Sequence, residues 1–233
     1  MTRGIILSVI IPTLNEAEAL GPTLDALARL PEHVEVIVVD GGSCDRTVEV
    51  AREHGARVLA AARGRGLQMH AGARAAQGKI LWFLHADTLA PADAAKWIAQ
   101  AFSERDVIGG NFTVRFAGRS RGARFLTWLY PRLRTLGLFY GDSAIFVRRE
   151  AYERVGGFQP FPIFEDLDLV RRLQRFGQMV QVPSAVVTSS RRFEGRSFAR
   201  TFLRWTALQA LYWLGVHPYT LGGLYGPIRR ATD

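Results

Sequence analysis

Asp40 and Asp87 each stand just past a short apolar run, Val34–Val39 and Ile80–Leu84. A carboxylate so placed can accept hydrogen bonds from a base or sugar, or help hold a divalent ion. Magnesium and manganese typically take only one or two protein carboxylates and fill the remaining positions with phosphate and water. Asp87, with His85 close before it, could therefore complete a metal–diphosphate site. The competing reading is local: Asp87 or Thr88 caps a helix starting near Pro91, and Ser43 or Asp45 caps the helix after Gly42. A second acidic centre is Glu165-Asp166, followed by Asp168 and by Leu167, Leu169, Val170 and Leu173 at helical spacing. Acids in a first helical turn complement the helix dipole without further purpose. A carboxylate fixed at a helix start is equally suited to act as a general base.

These residues depend on the elements around them. Ile5–Ile11 reads as a strand covered on both faces, an apolar and β-branched run, and Val34–Val39, Ala56–Ala60 and Ile80–Leu84 read as further strands. Between them Glu16–Leu30, Asp45–His54 and Leu67–Ala76 carry helical patterns, and Pro91–Phe102 follows. Strands alternating with helices imply an α/β fold with a mostly parallel sheet. Right-handed crossovers then bring the strand ends to one edge, where such sheets bind ligands. Asn15-Glu16, Asp40-Gly41-Gly42-Ser43, Arg63–Gly66 and His85-Ala86-Asp87-Thr88 all fall there. Gly41-Gly42 is either a tight turn or a place where backbone approaches a nucleotide. Gly64-Arg65-Gly66-Leu67-Gln68-Met69 has Met69 where a dinucleotide fingerprint needs its third glycine, which excludes a Rossmann dehydrogenase. Further along, Val107–Val114, Ala144–Val147, Val180–Val182 and Ala185–Thr188 read as strands. Gly122–Leu136, Arg149–Val155, Glu165–Phe176 and Arg196–Leu214 read as helices, and Pro218, Gly222, Gly223 and Pro227 as interruptions after the last.

The composition is that of a globular chain: 233 residues, 48% hydrophobic, with one cysteine, Cys44. A lone cysteine excludes an internal disulfide framework and a cysteine-based zinc site. The net charge is +9, carried almost wholly by arginine, since only Lys79 and Lys96 are lysine. No acid lies between Asp106 and Asp142, and after Gly195 the only acid is Asp233. Such a balance favours polyanionic or phosphorylated partners. A nucleic-acid module is not recognisable, so nucleic acid is not expected as a partner. Ile5–Ile11 is read as a strand rather than a leader. Trp205–Val216 is too short to span a bilayer.

Ser8-Val9-Ile10-Ile11-Pro12-Thr13-Leu14-Asn15-Glu16 and Val38-Val39-Asp40-Gly41-Gly42-Ser43 resemble the opening of family 2 glycosyltransferases with the GT-A fold. Gly141-Asp142-Ser143-Ala144-Ile145-Phe146-Val147-Arg148-Arg149, Gly156-Gly157-Phe158 and Phe164-Glu165-Asp166 follow in that family's order, so the resemblance runs over roughly residues 5–175. Within the family, Leu84–Thr88 and the arginine-rich end resemble a small single-domain bacterial subgroup. The resemblance implies a Rossmann-like central sheet flanked by helices, with a C-terminal helical extension on the acceptor side. One domain over residues 1–233 is expected: a nucleotide-sugar half (1–105), an acceptor and catalytic half (106–194) and the extension (195–233).

By the same resemblance, Pro12, Thr13, Leu14, Asn15, Glu16, Asp40 and Gly41 would surround the nucleotide of a nucleotide-diphosphate sugar, usually a uridine one, with Arg65 facing it. Asp87 matches the last carboxylate of the family's Asp-x-Asp metal motif, for Mn2+ or Mg2+. His85 replaces the first acid, leaving the ligand set open. Asp166 matches the catalytic base, with Glu165 beside it. Phe202-Leu203-Arg204-Trp205 lacks the glutamine of the processive synthases' Gln-x-x-Arg-Trp, so a processive polymerase is not expected. The implied reaction is inverting transfer to an unknown hydroxyl acceptor, lipid-linked acceptors included, in the cytoplasm or at the inner membrane face. Trp128, Asp142, Arg191 and Arg192 are candidate acceptor or diphosphate contacts. The basic, aromatic segment 115–136 and Arg196–Leu214 read as an acceptor site, an anionic-membrane surface or a solvated basic face. A silent nucleotide-sugar or polyanion-binding protein and a nucleotidyltransferase are the alternatives.

Overall fold

The computed structural model describes residues 7–31, 33–117, 124–129, 143–189 and 198–225. In chain order the elements are β1 (Leu7–Thr13), α1 (Ala17–Leu27), β2 (Val34–Asp40), α2 (Thr47–Glu53), β3 (Arg57–Ala60), α3 (Arg65–Ala75), β4 (Ile80–Phe83), β5 (Thr88–Leu89), α4 (Ala94–Ala101) and β6 (Val107–Phe116). Residues 124–129 form α5. There follow β7 (Phe146–Arg148), α6 (Arg149–Arg154), α7 (Glu165–Leu173), β8 (Gln178–Thr188), α8 (Phe198–Trp213) and α9 (Pro218–Tyr225).

The strands form one sheet in the order β3-β2-β1-β4-β7-β6-β8-β5. β3, β2, β1 and β4 are parallel, as βαβ crossovers require. β7 then lies antiparallel between β4 and β6, and β6 runs parallel to β8. Alternation along β1 sends Val9 and Ile11 to one face and Ile10 to the other, and two cores result. Leu20, Leu24, Ile98, Leu208 and Leu221 of α1, α4, α8 and α9 cover the first. Met69, Ala73, Tyr152, Leu169 and Leu173 of α3, α6 and α7 cover the second. A mixed, mostly parallel sheet flanked by helices is therefore what the apolar runs specified.

Several boundaries depart from the sequence reading. The two short strands expected at 180–182 and 185–188 are one strand, β8. Its register against β6 shifts between the Phe112–Val182 and Thr113–Ala185 pairs, which accommodates Pro183, a residue without an N–H to donate. α4 begins at Ala94 rather than near Pro91. The stretch after Val216, read as interrupted, folds into α9 with Pro218 at its first position, where a missing N–H costs nothing. Of the helix expected over 122–136, only 124–129 lies within the described residues, and it is helical.

Arginines close the helix ends that strand β7 brings near. Arg149 donates to the carbonyls of Gly78, Ala73 and Ala76 at the end of α3. Arg148 donates to Val107 and Phe102 and lies 4.5 Å over the Phe102 ring at the end of α4. Each supplies donors to carbonyls that a helix terminus leaves unpaired.

α3 approaches the sheet through Gly72. A Cβ there would lie 2.5 Å from Cγ2 of Ile10 and 2.9 Å from Cγ2 of Val39. Gly72→Ala should destabilise the fold by about 1–3 kcal/mol through overpacking, lowering the melting midpoint by several degrees in circular dichroism. Gly223→Ala, with nothing within 4 Å of the added carbon, should be neutral or stabilising by up to about 1 kcal/mol. Equal midpoints for the two variants would contradict this packing.

Candidate active site

The ends of β1 and β2 lie side by side, Thr13 opposite Asp40. The Asp40 carboxylate organises the turn that follows: one oxygen accepts the N–H groups of Gly42 and Ser43 at 3.0 and 2.8 Å. The other accepts the hydroxyls of Thr13 and Ser43 at 3.1 and 2.5 Å. An ionised carboxylate offers about four acceptor positions, and the protein fills them here. Asp40 thus holds the Gly41–Ser43 loop in shape, with Gly42 at φ +91° in the tight-turn role. The loop after β1 is joined to it, since Asn15 donates its N–H to Ser43 Oγ and accepts from the N–H of Cys44. Asn15 itself has φ 52°, a conformation asparagine tolerates. Asp45 accepts the N–H groups of Thr47 and Ala17, serving the starts of two helices together. Pro12, Leu14 and Glu16 are half-buried around this edge.

Gln68, which sequence reasoning passed over, locks the edge to α3. Its buried amide donates to the carbonyls of Thr13 and Val39 at 2.7 and 2.8 Å, and its oxygen accepts the N–H of Gly64. Gly41 leaves the space this side chain needs, for a Cβ there would lie 3.0 Å from Gln68 Nε2. A polar residue within an alanine-rich helix was the available signal.

From this clamp α3 reaches the second acidic centre. Arg65 Nε pairs with Glu165, whose side chain is 2% exposed. Gly66 permits the approach: a Cβ there would lie 2.6 Å from the Gln159 carbonyl oxygen and 3.4 Å from Glu165 Cβ. The glycine that mimicked a phosphate fingerprint therefore serves helix-to-loop packing. Asp166 is also buried, its Oδ1 accepting the N–H of Leu167. Phe164 precedes the pair at φ 61°, buried, with its ring tilted against that of Tyr212 of α8 at 4.9 Å between centroids. Burial pushes the Tyr212 phenol above its ordinary pKa; the nearby Asp168 and Asp166 carboxylates add to this and Arg171 opposes it. Tyr212 is a second residue the sequence reading missed. It brings α8 over the acid pair.

Asp168 belongs to the scaffold. Arg172 pairs with it at 2.6 Å and donates to the Val155 and Gly157 carbonyls, fixing the Gly156-Gly157 turn. Both glycines have positive φ, and His70 and Tyr152 crowd Gly157.

On the other side of β1, the end of β4 carries His85 and Asp87, both half-buried. The Asp87 carbonyl accepts the N–H of Ser189, and Thr88 bonds Thr188 through their hydroxyls. α4 starts well beyond, with Asp93 at its N-cap position, so the helix-capping reading of Asp87 falls. Among the described residues, no group of three or more His, Cys, Asp or Glu is gathered. One carboxylate and one imidazole on a short loop fit an ion that draws its other ligands from a diphosphate and water.

Trp128 is on α5, 53% exposed, with its ring 5.9 Å from that of Phe125. Asp142, Arg191 and Arg192 lie outside the described residues. His217 clusters with Phe161 and Tyr219, its ring centroid 5.4 Å from each and theirs 5.7 Å apart.

Comparison with known proteins adds to this geometry. A PGL/p-HBAD biosynthesis glycosyltransferase of Mycobacterium bovis is 30% identical over 207 residues, covering 82% of this chain and 78% of that protein. An uncharacterised glycosyltransferase of Mycobacterium tuberculosis is 36% identical over 109 residues, 46% of this chain and 49% of the relative, so the match spans about half of that protein. Among solved structures, a mannosyltransferase from Pyrobaculum calidifontis in complex with GDP-Man and Mn2+ aligns with a TM-score of 0.69 at 24% identity, over 90% of this chain and 63% of that one. Glucosyl-3-phosphoglycerate synthase of M. tuberculosis, with Mn2+, UDP-glucose and phosphoglyceric acid, aligns at 0.63 and 22% identity, over 85% and 75% of the two chains. These structures show a GT-A-like fold. The model described as glycosyl transferase family 2 matches residues 8–156, more than half of the sequence, and on that extent the chain belongs to glycosyl transferase family 2.

Proposed function

We propose that the protein is an inverting glycosyltransferase that moves a sugar from a uridine-diphosphate sugar to a hydroxyl acceptor. The observation that carries this reading is the contact between the two halves of the site. Arg65, at the start of α3, pairs with buried Glu165 beside Asp166, while Gln68 on the same helix holds the ends of β1 and β2. One helix thus ties the edge suited to a nucleotide to the acids suited to proton transfer.

In this mechanism the loops after β1 and β2, shaped by Asp40, Asn15 and Ser43, receive base and ribose against Pro12–Glu16 and Gly41. Arg65, held by Glu165, would face the nucleotide from the start of α3. Asp87 and His85 would hold Mn2+ or Mg2+, which when bound neutralises charge on the departing diphosphate. Asp166 accepts the proton of the acceptor hydroxyl as that oxygen attacks the anomeric carbon and the bond to the diphosphate breaks. Glu165 fixes the entry to α7 through Arg65. The structural neighbours are complexes with GDP-Man, UDP-glucose and UDP-GlcNAc, so the base bound by this chain is tested directly. In a thermal-shift comparison of UDP- and GDP-sugars with Mn2+, a larger rise with the UDP-sugars is expected, and a preference for GDP-sugars would overturn the uridine assignment.

Asp166→Asn should lower transfer, or slow donor hydrolysis, by at least about 10²–10⁴-fold while donor binding measured by calorimetry stays within a few-fold. Equal loss of both would remove Asp166 from the role of base. Asp87→Ala should abolish the gain in donor affinity produced by Mn2+. Titrations with and without the ion that differ as much as in the unsubstituted protein would exclude Asp87 as a ligand.

A further inference from the structure

Helix α8 buries one apolar face and exposes a second apolar stripe, flanked by Arg200, Arg204 and Thr206. Inward, Phe202, Trp205, Leu208, Leu211 and Tyr212 pack against the core. Outward, Leu203, Ala207, Ala210, Trp213 and Leu214 recur at helical spacing, and all are exposed, Leu214 at 82% and Leu203 at 71%. A helix bordering water ordinarily turns polar residues outward. α9 continues the surface with Tyr219 and Leu224, 55% and 57% exposed. α5 adjoins it, Phe125 and Phe202 meeting edge to face at 5.7 Å. Among the described residues, seven of the ten exposed large hydrophobics belong to α5, α8, α9 and the turn after α8.

The charged residues of α5, α8 and α9 themselves are all basic. Arg200 and Arg204 are exposed at the start of α8 and Arg124 on α5, and the sequence from Gly195 to Thr232 contains no acid. Exposed Trp, Tyr and Leu beside arginines are the composition of a helix lying in the headgroup region of an anionic bilayer. Among the described residues no helix is long and apolar enough to cross a membrane, so the contact is with the surface.

We propose that the outward face of α8 and α9 docks this protein on an anionic phospholipid surface, with Leu203, Trp213, Leu214, Tyr219 and Leu224 entering the interface and Arg200 and Arg204 meeting lipid phosphates. The apolar stripe selects lipid over a soluble polyanion, and the absence of acids selects anionic over zwitterionic headgroups. The site and this surface are joined by construction: the Tyr212 ring meets that of Phe164 next to the acid pair, and α9 presses on the loop before that pair, where a Cβ at Gly222 would lie 2.3 Å from Pro162.

The test is sedimentation of the full chain with vesicles of phosphatidylcholine alone or mixed with phosphatidylglycerol, at low and high salt. Binding should require phosphatidylglycerol, weaken with salt, and fall about tenfold or more in Trp213→Ser/Leu214→Ser. That variant should keep its thermal midpoint and donor-nucleotide binding, which separates loss of docking from loss of the fold. Equal binding to both vesicle types, no binding to either, or a double variant that sediments like the unsubstituted chain would overturn the proposal. So would a lipid-free dimer, seen by analytical ultracentrifugation, that the double variant dissolves, since the face would then be covered by a second copy. None of these readouts depends on sugar transfer, so failure here leaves the chemistry of Asp166 untouched, and the reverse.

Discussion

A carboxylate removed from water must be met by a cation or by donors, because leaving it bare costs several kcal/mol. Glu165 is 1% exposed, and Arg65 is the cation that meets it. Much of the architecture follows from keeping that pair together. α3 must begin where β3's loop delivers Arg65. Gly66 must lack a side chain so that the helix start can reach the Gln159 carbonyl and Glu165. Gln68, one turn on, must bind β1 and β2 so that α3 cannot slide along the sheet. At the far end Arg149 holds the last carbonyls of α3. The helix is fastened at both ends and its middle lies against Ile10 and Val39 through Gly72.

The first half of the fold was legible because its signals are local. Val36–Val39 and Ile80–Leu84 are apolar without alternation, as strands covered on both faces must be, and β2 and β4 form there. Gly55 and Gly64, both at positive φ, mark breaks between elements. The second half was less legible because long-range packing decides it. Val180–Thr188 looks divided by Pro183, yet nine paired positions along β6 hold it as one strand. Pro218 and Gly222 look like helix breakers, yet Pro218 opens α9 and Gly222 admits Pro162.

The candidate site divides along the same line. Asp40, Asp87 and Glu165-Asp166 were visible as acids at strand or helix ends. Asp40 emerged as the residue that shapes its own loop, since all its acceptor positions are used locally. Arg65 was expected to face a nucleotide, and its contact with Glu165 spans a separation that no sequence window covers. Gln68 and Tyr212 carry no motif. Their importance lies in where two helices put them, over the strand ends and over the acid pair.

The order in which the chain is made gives the Arg65–Glu165 pair a direction. A ribosome releases the arginine a hundred residues ahead of the glutamate, after β1 and β2 and together with the helix that reads their ends. The glutamate arrives at a counter-ion already mounted on a scaffold. The β4–β7–β6 junction falls between the two, since β7, made before the glutamate, enters between two strands made before it. The nascent polypeptide therefore builds the ground on which the nucleotide would rest before it carries the acids that would act there.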